Sequence, residues 1–109
     1  MGTPQVFRTI LTPKQVREKL SRLPRVRRVT VTQNSETAHY LFVIQVSEFR
    51  WFPSVQMDAW YSKNGKTLSI RSPQALCAAD GTEEAKLAFL TLNTFVAALK
   101  DNLEQLLNG

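Results

Sequence analysis

The chain has 109 residues, 43% hydrophobic and 21% charged, with a formal net charge of +5. That is one domain's worth of sequence, apolar enough to close a core and too apolar for disorder, while no apolar run approaches the ~18 residues of a membrane span. One cysteine, Cys77, and one histidine, His39, supply neither an internal disulfide nor a Cys/His metal cage, so we expect a cytoplasmic protein with no metal and no cofactor.

The charge is unevenly placed. Up to Thr30, eight basic residues (Arg8, Lys14, Arg17, Lys19, Arg22, Arg25, Arg27 and Arg28) stand against one acid, Glu18, for a net +7, and the remainder is −2. Within this third, Arg17, Arg22, Arg25, Arg27 and Arg28 form a candidate anion-binding or nucleic-acid-binding group, because clustered like charge attracts polyanions. The plainer reading of the same residues is as solvated helix and strand faces.

In chain order, Gln5 to Leu11 alternates as a strand. Thr12-Pro13-Lys14-Gln15 starts a helix, with Thr12 at the N-cap, Pro13 where a missing N–H costs nothing, and Gln15 placed to close a capping box. Val16, Leu20 and Leu23 are its apolar stripe, and Pro24 ends it. Val26 to Thr32 reads as a strand with Val29 and Val31 inward, and Gln33 to Glu36 as a turn. Ala38 to Trp51 is a long extended segment with Tyr40, Phe42, Ile44 and Val46 on one face, and Arg50 to Pro53 breaks the alternation. Val55 to Tyr61 and Thr67 to Ser72 form a hairpin around Lys63-Asn64-Gly65-Lys66, where Asn-Gly suits a type I′ turn. Ser72 to Gly81 is a connector with an apolar interior. Asp80 or Thr82 can cap a final helix over Thr82 to Leu107, whose Ala85, Ala88, Phe89, Leu92, Phe95, Val96, Leu99, Leu103, Leu106 and Leu107 share one face.

The order is therefore β-α-β-β-β-β-α. Short connections between successive strands predict an antiparallel sheet, joined at an edge by the first strand and packed on one face by a short N-terminal and a long C-terminal helix. This is an α+β, helix-grip arrangement in a single domain. Phe42, Met57, Phe89 and Phe95 are expected to fill the space between helix and sheet, where larger folds of this kind hold a small ligand.

Chemistry is sparse. The glycines are isolated, so neither a dinucleotide fingerprint nor a phosphate loop is present, and His39 and Cys77 have no partners for catalysis. Glu48 and Asp58 fall on neighbouring strands, with Arg50 and Arg71 placed to pair them across the sheet. The remaining constellation is aromatic: Arg50, Trp51, Phe52 and Trp60, with Tyr61, combine flat apolar faces with a base at a turn and strand end, which suits partner binding. The same side chains also suit rim packing against the helix.

Leu23-Pro24-Arg25 closing a first helix, Ile70-Arg71-Ser72 closing a hairpin, and Asp80-Gly81 before a final helix resemble the layout of an uncharacterised domain family found in bacteria and plastids. The chain departs from that pattern at Pro73-Gln74 and at Thr82-Glu83-Glu84. The resemblance implies a fold and no activity. Taken together, the residues predict a non-enzymatic binding or assembly module, homo-oligomeric or bound to a protein partner through the outer sheet face or the Trp51 loop. The alternatives are nucleic-acid binding through the basic third and small-ligand binding between helix and sheet.

Overall fold

In a computed structural model of the chain, residues 5–46, 54–76 and 83–109 are described. Among them run β1 (Val6–Thr9), α1 (Pro13–Ser21), β2 (Val26–Asn34), β3 (His39–Val46), β4 (Ser54–Tyr61), β5 (Leu68–Arg71), β6 (Gln74–Leu76) and α2 (Glu83–Asn108). The strands form one antiparallel sheet in the order β1-β5-β4-β3-β2, with β6 beside β4. The α+β class and the placing of the helices agree with the sequence reading.

Local chemistry explains the joints. At the start of α1 the Thr12 hydroxyl accepts the Gln15 N–H at 3.2 Å and the Gln15 side chain accepts the Thr12 N–H at 3.0 Å, closing the capping box. After Pro24 the chain reverses through Arg25 at φ 71° and enters β2. There Val26 pairs with Val46 and Arg28 with Gln45, leaving Arg27 as the extra residue of a bulge.

Three readings are corrected. The β2–β3 turn lies two residues later than expected, because the Asn34 side chain accepts the N–H groups of Glu36 and Thr37 and fixes the turn after itself. The Asn64-Gly65 hairpin exists, but only Gly65 takes a positive φ (70°), so it is not a type I′ turn. Instead the Gly65 N–H donates to the Ser62 carbonyl at 2.9 Å in a four-residue loop, and the Asn64 side chain holds the Lys66 N–H. Finally, the connector contains β6, whose three residues are too few to show a period. Pro73 lacks an N–H and breaks the ladder between β5 and β6, and the pairing with β4 resumes one residue out of register.

The core lies between sheet and helices. Phe7, Phe42, Ile44, Val55, Met57, Leu68 and Ile70 on the inner face meet Val16 and Leu20 of α1 and Leu92 and Leu103 of α2, all fully buried or nearly so. The C-terminal end of α2 is tied down as well as packed. The Thr9 hydroxyl donates to the Leu107 carbonyl at 3.1 Å, Lys19 Nζ to the Leu106 carbonyl at 3.1 Å, and the Asn108 amide to the Arg8 carbonyl at 2.9 Å. The last turn of α2 has no base of its own, so Lys19 of α1 supplies the positive charge that a helix C-terminus favours.

Ala38 has φ 56° at an exposed turn, a conformation that costs an L side chain about 1 kcal/mol. Ala38→Gly is expected to raise the melting temperature by a few degrees, at about 5 °C per kcal/mol. A fall on calorimetry would show that the turn tolerates its methyl group without strain.

Candidate functional site: the open sheet face and the exposed half of the long helix

Strand alternation sends one residue set into the core and the other to the face away from the helices. Reading across that open face, Arg8 of β1 lies opposite Ser69 of β5, Ser69 opposite Trp60 of β4, Trp60 opposite His39 of β3, and His39 opposite Asn34 of β2. The Trp60 ring is flanked by the Arg71 guanidinium, 5.5 Å from its centroid, and by the His39 ring at 6.0 Å, tilted 39°. Arg71 also pairs with Asp58 at 3.7 Å, the cross-strand ion pair anticipated for that carboxylate. Leu41, Val43 and Trp60 are half-buried in the middle of this face, while Arg8, Arg28 and Arg71 are exposed.

Trp60 thus stands in a polar, cationic setting that its sequence neighbours do not reveal. Arg50, Trp51 and Phe52, the other members of the aromatic group, lie outside the described residues, as do Glu48, Cys77, Asp80 and Thr82. The five arginines of the basic third fall on different elements around the α1–β2 corner. Arg17 is exposed on α1, Arg22 caps its end, Arg25 occupies the adjoining turn, Arg27 the bulge, and Arg28 faces outward opposite Gln45. Their closeness in sequence is spent on turning a corner.

A second surface lies on α2. Among the described residues the exposed large hydrophobics are Ile10, Leu76, Leu87, Phe89 and Leu90, and three of the five belong to the first half of this helix. Leu87 is 66% exposed, Leu90 63% and Phe89 44%, which corrects the expectation that Phe89 fills the interior beside Phe42, Met57 and Phe95. Phe89 sits on the flank of the helix, one step round from the buried line of Ala88, Leu92 and Phe95, so the apolar stripe is wider than its buried part. The signal that could have shown this is charge. Residues 87–99 contain no charged side chain on any face, and only Thr91, Asn93 and Thr94 are polar.

Beside this stripe, a groove of about 470 Å³ opens between the turn after α1 and the middle of α2, lined by Leu23, Pro24, Thr94, Ala98 and Asn102 among others, with Arg25 at its wall. It lies outside the space between helix and sheet, where Phe42, Met57 and Phe95 belong to the buried core cluster. Among the described residues no three His, Cys, Asp or Glu side chains gather as a metal cage, and no helix is long and apolar enough to cross a membrane. No family model, curated protein or solved structure matches the chain.

Proposed function

We propose that this protein is a non-enzymatic binding and assembly module that forms homo-oligomers through the first half of α2. The observation that carries the reading is the charge-free run 87–99, which leaves Leu87, Phe89 and Leu90 open to water on a helix otherwise docked against the sheet. Large apolar side chains on the outer side of a docked helix are stabilised when a further surface covers them. Leu87, Leu90, Thr94 and Ala98 succeed one another at spacings of three and four, so the exposed leucines lead directly into the groove.

A second copy fits this surface by a two-fold axis, which makes the patch self-complementary. With the two helices antiparallel, Leu87 of each lies over Ala98 of the other and enters the neighbouring groove, and the small Thr94 and Ala98 let the backbones approach. Glu83 and Glu84, in the first turn of α2, come towards the basic corner around Arg22 and Arg25 of the other copy. The non-enzymatic part of the reading rests on the poverty of proton-transferring and nucleophilic groups in the sequence.

Native mass spectrometry of the purified protein, with Leu90→Lys beside it, tests the proposal. The parent chain is expected to be a dimer and the variant a monomer with the parent's far-UV circular dichroism, its melting lowered only by the lost contribution of assembly, because an exposed substitution by itself changes stability by about 0.5 kcal/mol or less. A monomeric parent, or a variant that stays dimeric, overturns the reading.

A further inference from the structure

The open sheet face is unexplained by assembly through α2. Its centre is Trp60, an amphipathic ring with a cation beside it on a strand that has neighbours on both sides. An aromatic that served only to pack would sit on the inner face with Phe42 and Met57; this one faces outward and is half-buried.

The charges around it are mostly positive, with Asp58 as the acid among them. Arg71 stands beside the ring, Arg8 two strands away in the same row, and the β4–β5 loop after Trp60 carries Lys63 and Lys66, both exposed. The acid on the neighbouring row, Asp58, is already paired with Arg71. A small recess of about 70 Å³ opens next to Arg71, lined by Leu41, Gln56, Asp58, Arg71, Ser72 and Gln74. Its two glutamine amides offer both donors and acceptors, so they can meet the edge of any base.

We propose that this face binds single-stranded nucleic acid, with Trp60 as the platform on which a base stacks and Arg8, Arg71, Lys63 and Lys66 as the phosphate contacts. An unpaired base presents an apolar face and a hydrogen-bonding edge within one phosphate step of a negative charge, and this surface offers the complement of all three. A duplex does not fit the same logic, because its bases are already stacked and a broad sheet face enters neither groove. The site differs from the one expected around Arg17 and Arg22, which lie on and at the end of α1, in the helical layer on the opposite side of the sheet.

Fluorescence anisotropy with labelled oligo-dT and oligo-rU, at low and at physiological salt, decides the matter. Saturable binding is expected for both, weakening with salt at a log–log slope of about −2 to −3, as for three or four phosphate contacts on a single strand. Trp60→Leu is expected to weaken binding about tenfold with the salt slope unchanged, and Trp60→Phe, which keeps an aromatic face, to lose much less. Combined Lys63→Ala and Lys66→Ala is expected to flatten the slope without removing the Trp60 effect.

Each contrary result is specific. No saturable binding at low salt overturns the proposal, as does duplex binding equal to single-strand binding. Binding that ignores Trp60→Leu but disappears with Arg17→Ala and Arg22→Ala moves the site to the helical layer and equally ends it. Because Leu90→Lys leaves the sheet face untouched, the monomeric variant keeps oligonucleotide binding if this inference holds, whatever the fate of the assembly reading.

Discussion

Replacing Leu103 by alanine is expected to cost the fold about 3 to 4 kcal/mol and to lower its melting temperature by about 15 to 20 °C. Leu103 is fully buried in the second half of α2, within the cluster that joins this helix to the sheet and to α1. Removing three heavy atoms there leaves a cavity that close-packed neighbours refill only in part. With total stability on the order of 5 to 15 kcal/mol, such a loss brings a domain close to unfolding. The internal control is Leu87→Ala, sixteen positions earlier on the same helix and 66% exposed in the protomer. In a monomer its effect is expected to stay within about 0.5 kcal/mol. Urea denaturation of both variants on the Leu90→Lys background measures the difference without the contribution of assembly. Equal losses would show that the two ends of α2 are embedded alike, and would remove the physical basis for an exposed half.

Thr9→Val is the second large effect, expected at about 2 kcal/mol with almost no change in volume. The Thr9 side chain is buried and its hydroxyl does two things: it donates to the Leu107 carbonyl at 3.1 Å and accepts the Leu11 N–H at 3.1 Å. Valine fills the same space and leaves both partners unsatisfied, which costs more than the hydrogen bonds themselves contribute. Thr9→Ser is expected to recover most of the stability, since the hydroxyl is kept. Amide exchange makes the test local: protection of Leu11 falls in Thr9→Val beyond what global destabilisation accounts for. A valine variant as stable as the parent would mean that water replaces the hydroxyl without loss.

The sequence is most readable where a residue's role is set by its near neighbours. Thr12, Pro13 and Gln15 announce α1, Asn64 and Gly65 announce a hairpin, and the alternation of Phe42, Ile44 and Val46 gives the inner face of β3, because each of these signals acts within a few residues. It is less readable where the deciding partner is remote. Trp60 reads as a surface aromatic, and along the chain its aromatic company is the adjacent Tyr61 and, further back, Trp51 and Phe52. The companions placed by the sheet are Arg71 and His39, brought in by strand registers that no local pattern encodes. The basic third shows the converse: its arginines are close in sequence, while a helix end, a positive-φ turn and a bulge separate them in local structure, none of which their spacing announces. The spacing of Phe89 allows it a place in the core, yet it is 44% exposed, and how much of an apolar stripe is covered is not written in the period of a helix.

The ties at the end of α2 also bear on how the molecule is made. They join Arg8, Thr9 and Lys19 to Leu106, Leu107 and Asn108, pairs separated by 87 to 100 positions. Contacts of such separation close late, because the loop entropy they demand is paid before they return anything. The β2–β3 and β4–β5 hairpins are local and form on their own schedule, so a growing chain emerging from the ribosome holds most of its sheet while the inner face is still without its long helix. A chain cut before Leu103 is therefore expected to leave part of the inner face bare and to aggregate instead of folding into a slightly weaker domain, because it loses the buried Leu103 and Leu107 together with the three ties that latch this helix to β1 and α1.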